Sequence, residues 1–398
     1  MNLLILVWAF IRRRPLTWGF NVLTLSTGVA VVLALALVNQ AIEDRFQRDL
    51  AGIDLVIGAK GSPLQIVLSA VFQMDTPTGN ISLEDARRFA GNAMAASAVP
   101  VSMGDNVRNA RIVGTTLDYP RLYGARLAQG RWWSQPMEAV LGAGAARRLG
   151  LKPGDTFVGA HGLVGSADLH KRFPYRVVGV LRPTGSVVDR IVLTDLASVW
   201  NIHEHPDPDE AAADPNHREV TALLVKYRSA MGALMMPRLV SATPNLQPAI
   251  PAIESARLFN LLGVGADVLQ GVGLSILALA GIGFFIALFG AVSQRRRDLA
   301  LIRALGARPS LLLLIVALEA ALLGLAGGVV GVAGGRALAA YAGRISMAAA
   351  SGPTLMPSSI GLIDLIAVGA ALVLSLAASI GPAIIASRTD PARELAGG

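Results

Sequence analysis

SQRRRDLALIRALGARP, residues 293–309, decides how this chain is arranged. Five arginines, Arg295, Arg296, Arg297, Arg303 and Arg308, stand between two long apolar runs. At the helical repeat, Leu299, Ile302 and Leu305 fall along one side and most of the arginines fall elsewhere. A short basic amphipathic helix between two membrane spans cannot lie in hydrocarbon, and its charge places it on the cytoplasmic side. It can rest on anionic headgroups or seat in a soluble partner. The partner is the expectation.

Outward from this stretch, apolar residues concentrate in Leu16–Val38, Leu269–Val292, Leu311–Val332 and Ile360–Ala386. Each run has about 20 residues or more, enough to cross ~30 Å of hydrocarbon as a helix. With 53% hydrophobic and 16% charged residues in 398, the composition predicts an integral membrane protein with four transmembrane α-helices. The remaining arginine clusters, Arg12–Arg14 and Arg388 with Arg393, lie on the same side as the 293–309 stretch if there are four spans. Both termini are therefore expected in the cytoplasm. The net charge of +8 then reports topology and contact with membrane lipids, not nucleic acid. The absence of cysteine excludes thiol catalysis and thiolate metal sites, and any large domain must fold on its own core.

Met1–Ile11 is apolar but short, stopped by Arg12, Arg13, Arg14 and Pro15, and reads as a helix lying on the inner leaflet. The run from Leu16 is too long for a signal-peptide core, typically about 7–15 residues, and reads as a retained span. After Asn39 the sequence AIEDRFQRDLAG carries the first helix beyond the membrane. Asp54–Ile57 suggests a strand, Leu64–Phe72 an apolar segment too short to span, and Ser82-Leu83-Glu84-Asp85 a helix start with a serine cap. From there to about Ile253 short strands alternate with short helices. Strands are expected at Arg111–Thr115, Glu138–Gly142, Tyr175–Leu181, Arg190–Leu193 and Thr221–Tyr227. The segment is thus a large extracytoplasmic α+β domain between helices 1 and 2, a core with an inserted lobe between roughly Asp118 and His217. The bounds are a cytoplasmic interfacial helix 1–15, helix 1 at 16–38, the domain at 39–268 and helix 2 at 269–292. A cytoplasmic helix at 293–310, helix 3 at 311–335, a loop at 336–359, helix 4 at 360–386 and a tail at 387–398 follow.

Gly324, Gly327, Gly328, Gly331 and Gly335 form a small-residue stripe that lets helices approach closely, within one subunit or between two. Glu319, an acid inside the third span, reads as a structural, hydrogen-bonded group, with no second ionisable partner evident. His203, Glu204, His205 and the nearby His217 could hold Zn²⁺ or Cu²⁺. The prolines and polar residues around them equally describe a solvated loop, and no His-Glu-x-x-His motif is present. Lys60, in a glycine-rich turn, reads as solvated. No catalytic constellation is evident, and no Gly-x-x-x-x-Gly-Lys-Ser/Thr phosphate loop occurs in these 398 residues.

The pattern resembles the MacB/FtsX-type permease family of ABC systems. One span, a large domain and three further spans match its layout. Arg295-Arg296-Arg297-Asp298 followed by Arg303-Ala304-Leu305-Gly306-Ala307 resembles its cytoplasmic loop. Leu318-Glu319-Ala320, the glycines from Gly324 to Gly335, Asp390-Pro391-Ala392 with Glu394-Leu395, EAVLGAGAARRLGLKPGDTF and YRVVGVLRPTGS resemble other parts of it. The resemblance implies a non-catalytic mechanotransmission subunit of a bacterial inner membrane, with a periplasmic domain and no cofactor of its own. ATP and Mg²⁺ would belong to a separate ATPase docked on Arg295, Arg296, Arg297, Leu299, Ile302, Arg303 and Leu305. A second permease chain would complete a dimer, and a periplasmic adaptor or lipoprotein would be a further partner. The size of the domain implies the MacB-like branch. A LolC/LolE-like lipoprotein-releasing permease and an FtsX-like signalling protein are the alternatives.

Overall fold

The structure, a computed structural model, describes residues 12, 15–161, 172–204, 218–350 and 360–388. The expected interfacial helix at 1–15 lies almost entirely outside them, as does most of the tail. The chain divides into two units. One comprises Met1–Ala41, Val264–Ile345 and Leu355–Gly398, the other Ile42–Gly263 and Ser346–Thr354.

The first unit is helical. Its elements come from α1 (Pro15–Leu50), α8 (Pro251–Gln294), α9 (Arg296–Ala304), α10 (Pro309–Ala350) and α11 (Leu362–Ser387). The four long ones are apolar and long enough to cross a membrane. Leu269, Leu279 and Ile286 on α8 and Leu365, Val373 and Ile380 on α11 face outward, as lipid-facing side chains do. Val22, Phe284, Leu288, Leu312, Val316 and Leu323 form the inner core. Buried serines satisfy their hydroxyls on their own helices: Ser26 donates to the Leu23 carbonyl, Ser375 to Leu372 and Ser379 to Leu376, at 2.7–2.9 Å. The loop expected from residue 336 is helical as far as Ala350, because the alanine-rich run from Arg336 to Ala350 holds a single glycine, Gly343, and no proline occurs before Pro353.

The second unit is built on a mixed sheet in the order β13-β1-β12-β3-β4-β10-β6-β9-β5. Its members are β1 (Leu55–Ala59), β3 (Ala95–Val107), β4 (Ala110–Thr115), β5 (Leu127–Gly130), β6 (Glu138–Leu141), β9 (Tyr175–Leu181), β10 (Val192–Asp195), β12 (Ala222–Tyr227) and β13 (Leu246–Ala249). β7 (Thr156–Phe157) and β8 (Ala160–His161) pair on its margins, and β2 (Ile81–Ser82) pairs with β11 (Glu219–Val220). Successive residues of a strand point to opposite faces, and both faces are covered here. Leu55 and Ile57 of β1 and Leu223 and Val225 of β12 join one apolar cluster with α3 (Leu83–Ala90) and α7 (Ala230–Ser241). Val56 and Leu224, on the other face, join a second cluster with α2 (Pro63–Ala70), which Ser62 caps.

The lobe expected between Asp118 and His217 does not form a detached body. Its strands β10, β6, β9 and β5 continue the same sheet through the parallel β4–β10 pairing, Ile112 opposite Val192 to Thr115 opposite Asp195. Val140, Val178 and Leu193 of the lobe share one cluster with Val56, Val101 and Val113 of the core. The opposite face packs with α5 (Ala143–Leu149) and is shared as well, through Val107 of β3 and Ala110 and Ile112 of β4. The remaining short helices are α4 (Asp118–Leu122) and α6 (Leu196–Glu204). The strand expected to start at Arg190 starts at Val192, since Val187–Arg190 forms a 3₁₀ turn whose Asp189 accepts the Thr184 and Gly185 N–H groups.

Candidate functional site

Between α8 and α10 the chain breaks twice. Arg295, at φ −103° and ψ 9°, separates α8 from α9. After Ala304 the Leu305 N–H bonds the Leu301 carbonyl and the Ala307 N–H the Ile302 carbonyl. Gly306 at φ 97° makes the left-handed turn that only glycine takes without strain. Pro309 opens α10, where its missing N–H costs nothing.

The apolar stripe read from spacing does not face outward as a unit. Leu299 is 3% exposed and packs into the bundle core with Phe284, Leu288, Leu312 and Val316, and Ala300 beside it is fully buried. Ile302 is half-buried, while Leu305 is 89% exposed and Leu301 51%. Leu301 on α9 and Leu305 just past its end are therefore the outward apolar residues of this stretch, where Arg296, Arg297, Asp298 and Arg308 are also exposed. Arg303 donates to the Ser387 carbonyl of α11 at 3.4 Å. Leu299 is excluded from any partner's cleft because its own bundle already covers it.

Arg295 is likewise turned inward. Its Nη1 and Nη2 each donate to one Glu319 carboxylate oxygen at 3.0 Å, and both residues are buried. Glu319 thus has the ionisable partner that the sequence did not reveal, and a bidentate pair holds the α8–α9 break against α10. A second fork lies further along α10. Arg336 Nε donates to Asp364 Oδ1 at 3.0 Å and Nη2 to Oδ2 at 2.6 Å. Glu319 and Arg336 stand ~25 Å apart along the helix axis, comparable to the thickness of hydrocarbon.

All five predicted glycines lie between these two forks and pack inside one subunit. A Cβ on Gly331 would meet Val29 Cβ at 2.7 Å, and one on Gly335 the Ala30 carbonyl oxygen at 2.8 Å. Gly327 faces Leu25, so these three seat α10 on α1. Gly324 and Gly328 face Leu372, Ser375, Val368 and Ala371 and seat it on α11. His203 falls in α6, whereas His205 and His217 lie outside the described residues. Among the described residues no three His, Cys, Asp or Glu side chains are grouped to hold a metal ion.

Residues 19–231 match the MacB-like periplasmic core domain, and residues 271–391 match the FtsX-like permease C-terminal domain. The chain belongs to the MacB/FtsX-type ABC permease family. It is a multi-pass bacterial membrane protein of a family whose members associate with an ABC ATPase and generally dimerise. It is 24% identical over 401 aligned residues to the pyoverdine export ATP-binding/permease protein PvdT of Pseudomonas putida. The alignment covers 95% of this chain and 57% of that protein, so the permease spans little more than half of this relative. The periplasmic region of MacB from Actinobacillus actinomycetemcomitans is 15% identical, with a TM-score of 0.36, covering 54% of this chain and 95% of that one. The extracellular domain of the ABC-type transporter YknZ from Gram-positive bacteria is 12% identical, with a TM-score of 0.31, covering 49% and 98%.

Proposed function

We propose that this permease docks a separate ATPase on the free face of α9 and transmits ATP-driven motion to its extracytoplasmic domain. The motion would drive export, or extraction of a substrate from the periplasm or the outer leaflet of a bacterial inner membrane. The observation that carries the reading is the outward pair Leu301 and Leu305, ringed by Arg296, Arg297 and Arg308, on a helix held from behind by Leu299 and Arg295. Exposed leucines among arginines suit a protein cleft with an acidic rim, where the apolar pair supplies affinity and the charges supply orientation. A helix merely resting on lipid would not need a bidentate buried anchor at its start.

The chain lacks a phosphate loop in these 398 residues, which places nucleotide and Mg²⁺ on the partner in this reading and leaves the permease without a catalytic role. Force would pass upward through α1 and α8, each an unbroken helix of 36 and 44 residues that begins or ends beyond its apolar run. With α9 at the cytoplasmic end, this reading has both termini in the cytoplasm. A LolC/LolE-like lipoprotein release and an FtsX-like activation of a periplasmic partner remain the alternatives, with substrate, adaptor and the second permease chain to be identified by co-purification. The test is association with the candidate ATPase. Leu305→Asp is expected to abolish co-purification and coupled turnover while the chain stays folded. Unchanged association in Leu305→Asp and Leu301→Asp would sink the docking face.

A further inference from the structure

Asp49 sits in the last turn of α1 and is 1% exposed. Three links tie that turn to the lobe. Arg190 Nη2 donates to Asp49 Oδ2 at 3.2 Å, Arg48 Nε to the Gly185 carbonyl at 3.1 Å, and the Tyr123 hydroxyl to the Asp49 carbonyl at 3.1 Å. Gly185 and Arg190 belong to the turn between β9 and β10, in the outer half of the sheet. The same end of α1 leads through residues 51–54 into β1, in the inner half. The helix end therefore holds the outer half of the domain by these polar links, and the inner half by the covalent chain and by Phe46, whose ring packs on Phe72 and Phe259.

The side-chain grip is half made. An arginine meets a carboxylate side-on through Nε and Nη2 together. Here Nη2 has its oxygen, while Arg190 Nε and Asp49 Oδ1 are both buried without a hydrogen-bond partner. The fork between Arg336 and Asp364 in the same chain shows the completed form, with Nε on one oxygen and Nη2 on the other. Beside the half-made pair the Tyr119 hydroxyl lies against Tyr123 and Gln73, and Gln73 Oε1 is buried with it. The Val187 N–H also faces the Asp49 carboxylate, and Arg45 and Arg48 contribute further positive charge. Burial lifts both phenols well above their ordinary range, so they remain neutral. Unsatisfied buried polar atoms are costly, and the two left within this ion pair favour an alternative pairing within a small displacement.

From the half-made fork we propose that Asp49 and Arg190 form a two-setting latch between α1 and the lobe. In the open setting one N–H···O bond joins them, as here. In the closed setting Arg190 Nε reaches Asp49 Oδ1, and the turn 184–190 shifts with it relative to the end of α1. The latch is a positioning device that divides motion of α1 between the two halves of the sheet. That α1 is the moving part rests on the proposed function above.

The chain has no cysteine, so paired spin labels can be placed cleanly in the full-length protein in lipid nanodiscs. Labels at Glu43→Cys on α1 and Arg147→Cys on the lobe are expected to report two distance populations. Arg190→Lys keeps the charge and removes Nε, and should reduce the two populations to one. Asp49→Asn should do the same. A control pair, Glu43→Cys with Lys60→Cys beside β1, should keep a single unchanged distance throughout. A single population in the unsubstituted chain, or two surviving in Arg190→Lys, overturns the latch. Loss of the control distance in Arg190→Lys overturns it too, because the pair would then be holding the fold together. These distances involve no ATPase, so failure of docking on α9 leaves the result readable.

Discussion

Glu319→Met leaves the Arg295 guanidinium buried and without its carboxylate, and breaking one side of a buried pair costs about 3–5 kcal/mol. Removing both charges as Arg295→Met with Glu319→Met should cost less than either single change. The measurement is thermal unfolding of the four chains in detergent, read as a double-mutant cycle. Additive losses would show that the pair is not coupled. Gly331 gives a second residue-level prediction. Gly331→Leu forces side-chain atoms into Val29 and should cost about 1–3 kcal/mol or more by overpacking. Gly334→Ala, whose Cβ would sit 3.4 Å from Ala30 Cβ, should be nearly neutral in the same melt. Glu138 supplies a pH dependence. The Arg131 guanidinium beside it, with the Ser134 N–H, holds its carboxyl down at about 2. A carboxylate whose value is depressed in the fold contributes stability that is whole above its unfolded value, near 4.5, and lost as pH falls toward 2. The stability gap between the unsubstituted chain and Glu138→Gln should therefore narrow between pH 5 and pH 2 in a denaturant titration. A constant gap would show that the pair does not set it.

Elements were legible where the signal is local. Four apolar runs mark four helices, and Ser82 caps the helix whose start it marks in the sequence, with a 3.0 Å bond from the Asp85 N–H, whereas the helix capped by Ser62 reads only as a short apolar segment. The site was less legible, for a physical reason. α9 has apolar residues on both sides, Leu299 and Ala300 on one and Leu301 and Leu305 on the other, so periodicity alone cannot say which side the bundle covers. Ile302 stands at the boundary. The Glu319 partner was missed because Arg295 lies across a chain reversal, where no helical spacing links the two residues. The sheet shows the same limit: strand positions follow from alternation, but the β4–β10 pairing that fuses core and lobe is a long-range contact. The element-scale prediction is a contrast between two leucines. Leu299→Asp should destabilise the bundle itself and lower its melting temperature, whereas Leu305→Asp should leave melting unchanged. Equal melting of the two variants would show that α9 does not pack as described.

At the scale of the whole molecule, the chain combines four helices long enough to span with a short basic helix, and a mixed α/β domain lies in the chain between α1 and α8. The proposed relay needs these two features on opposite sides of the membrane. Single cysteines at Leu305 and at Lys60, both exposed, can be tested with a membrane-impermeant maleimide in right-side-out and inverted vesicles. The account predicts that position 305 reacts only in inverted vesicles and position 60 only in right-side-out ones. Reaction of both from the same side would contradict it.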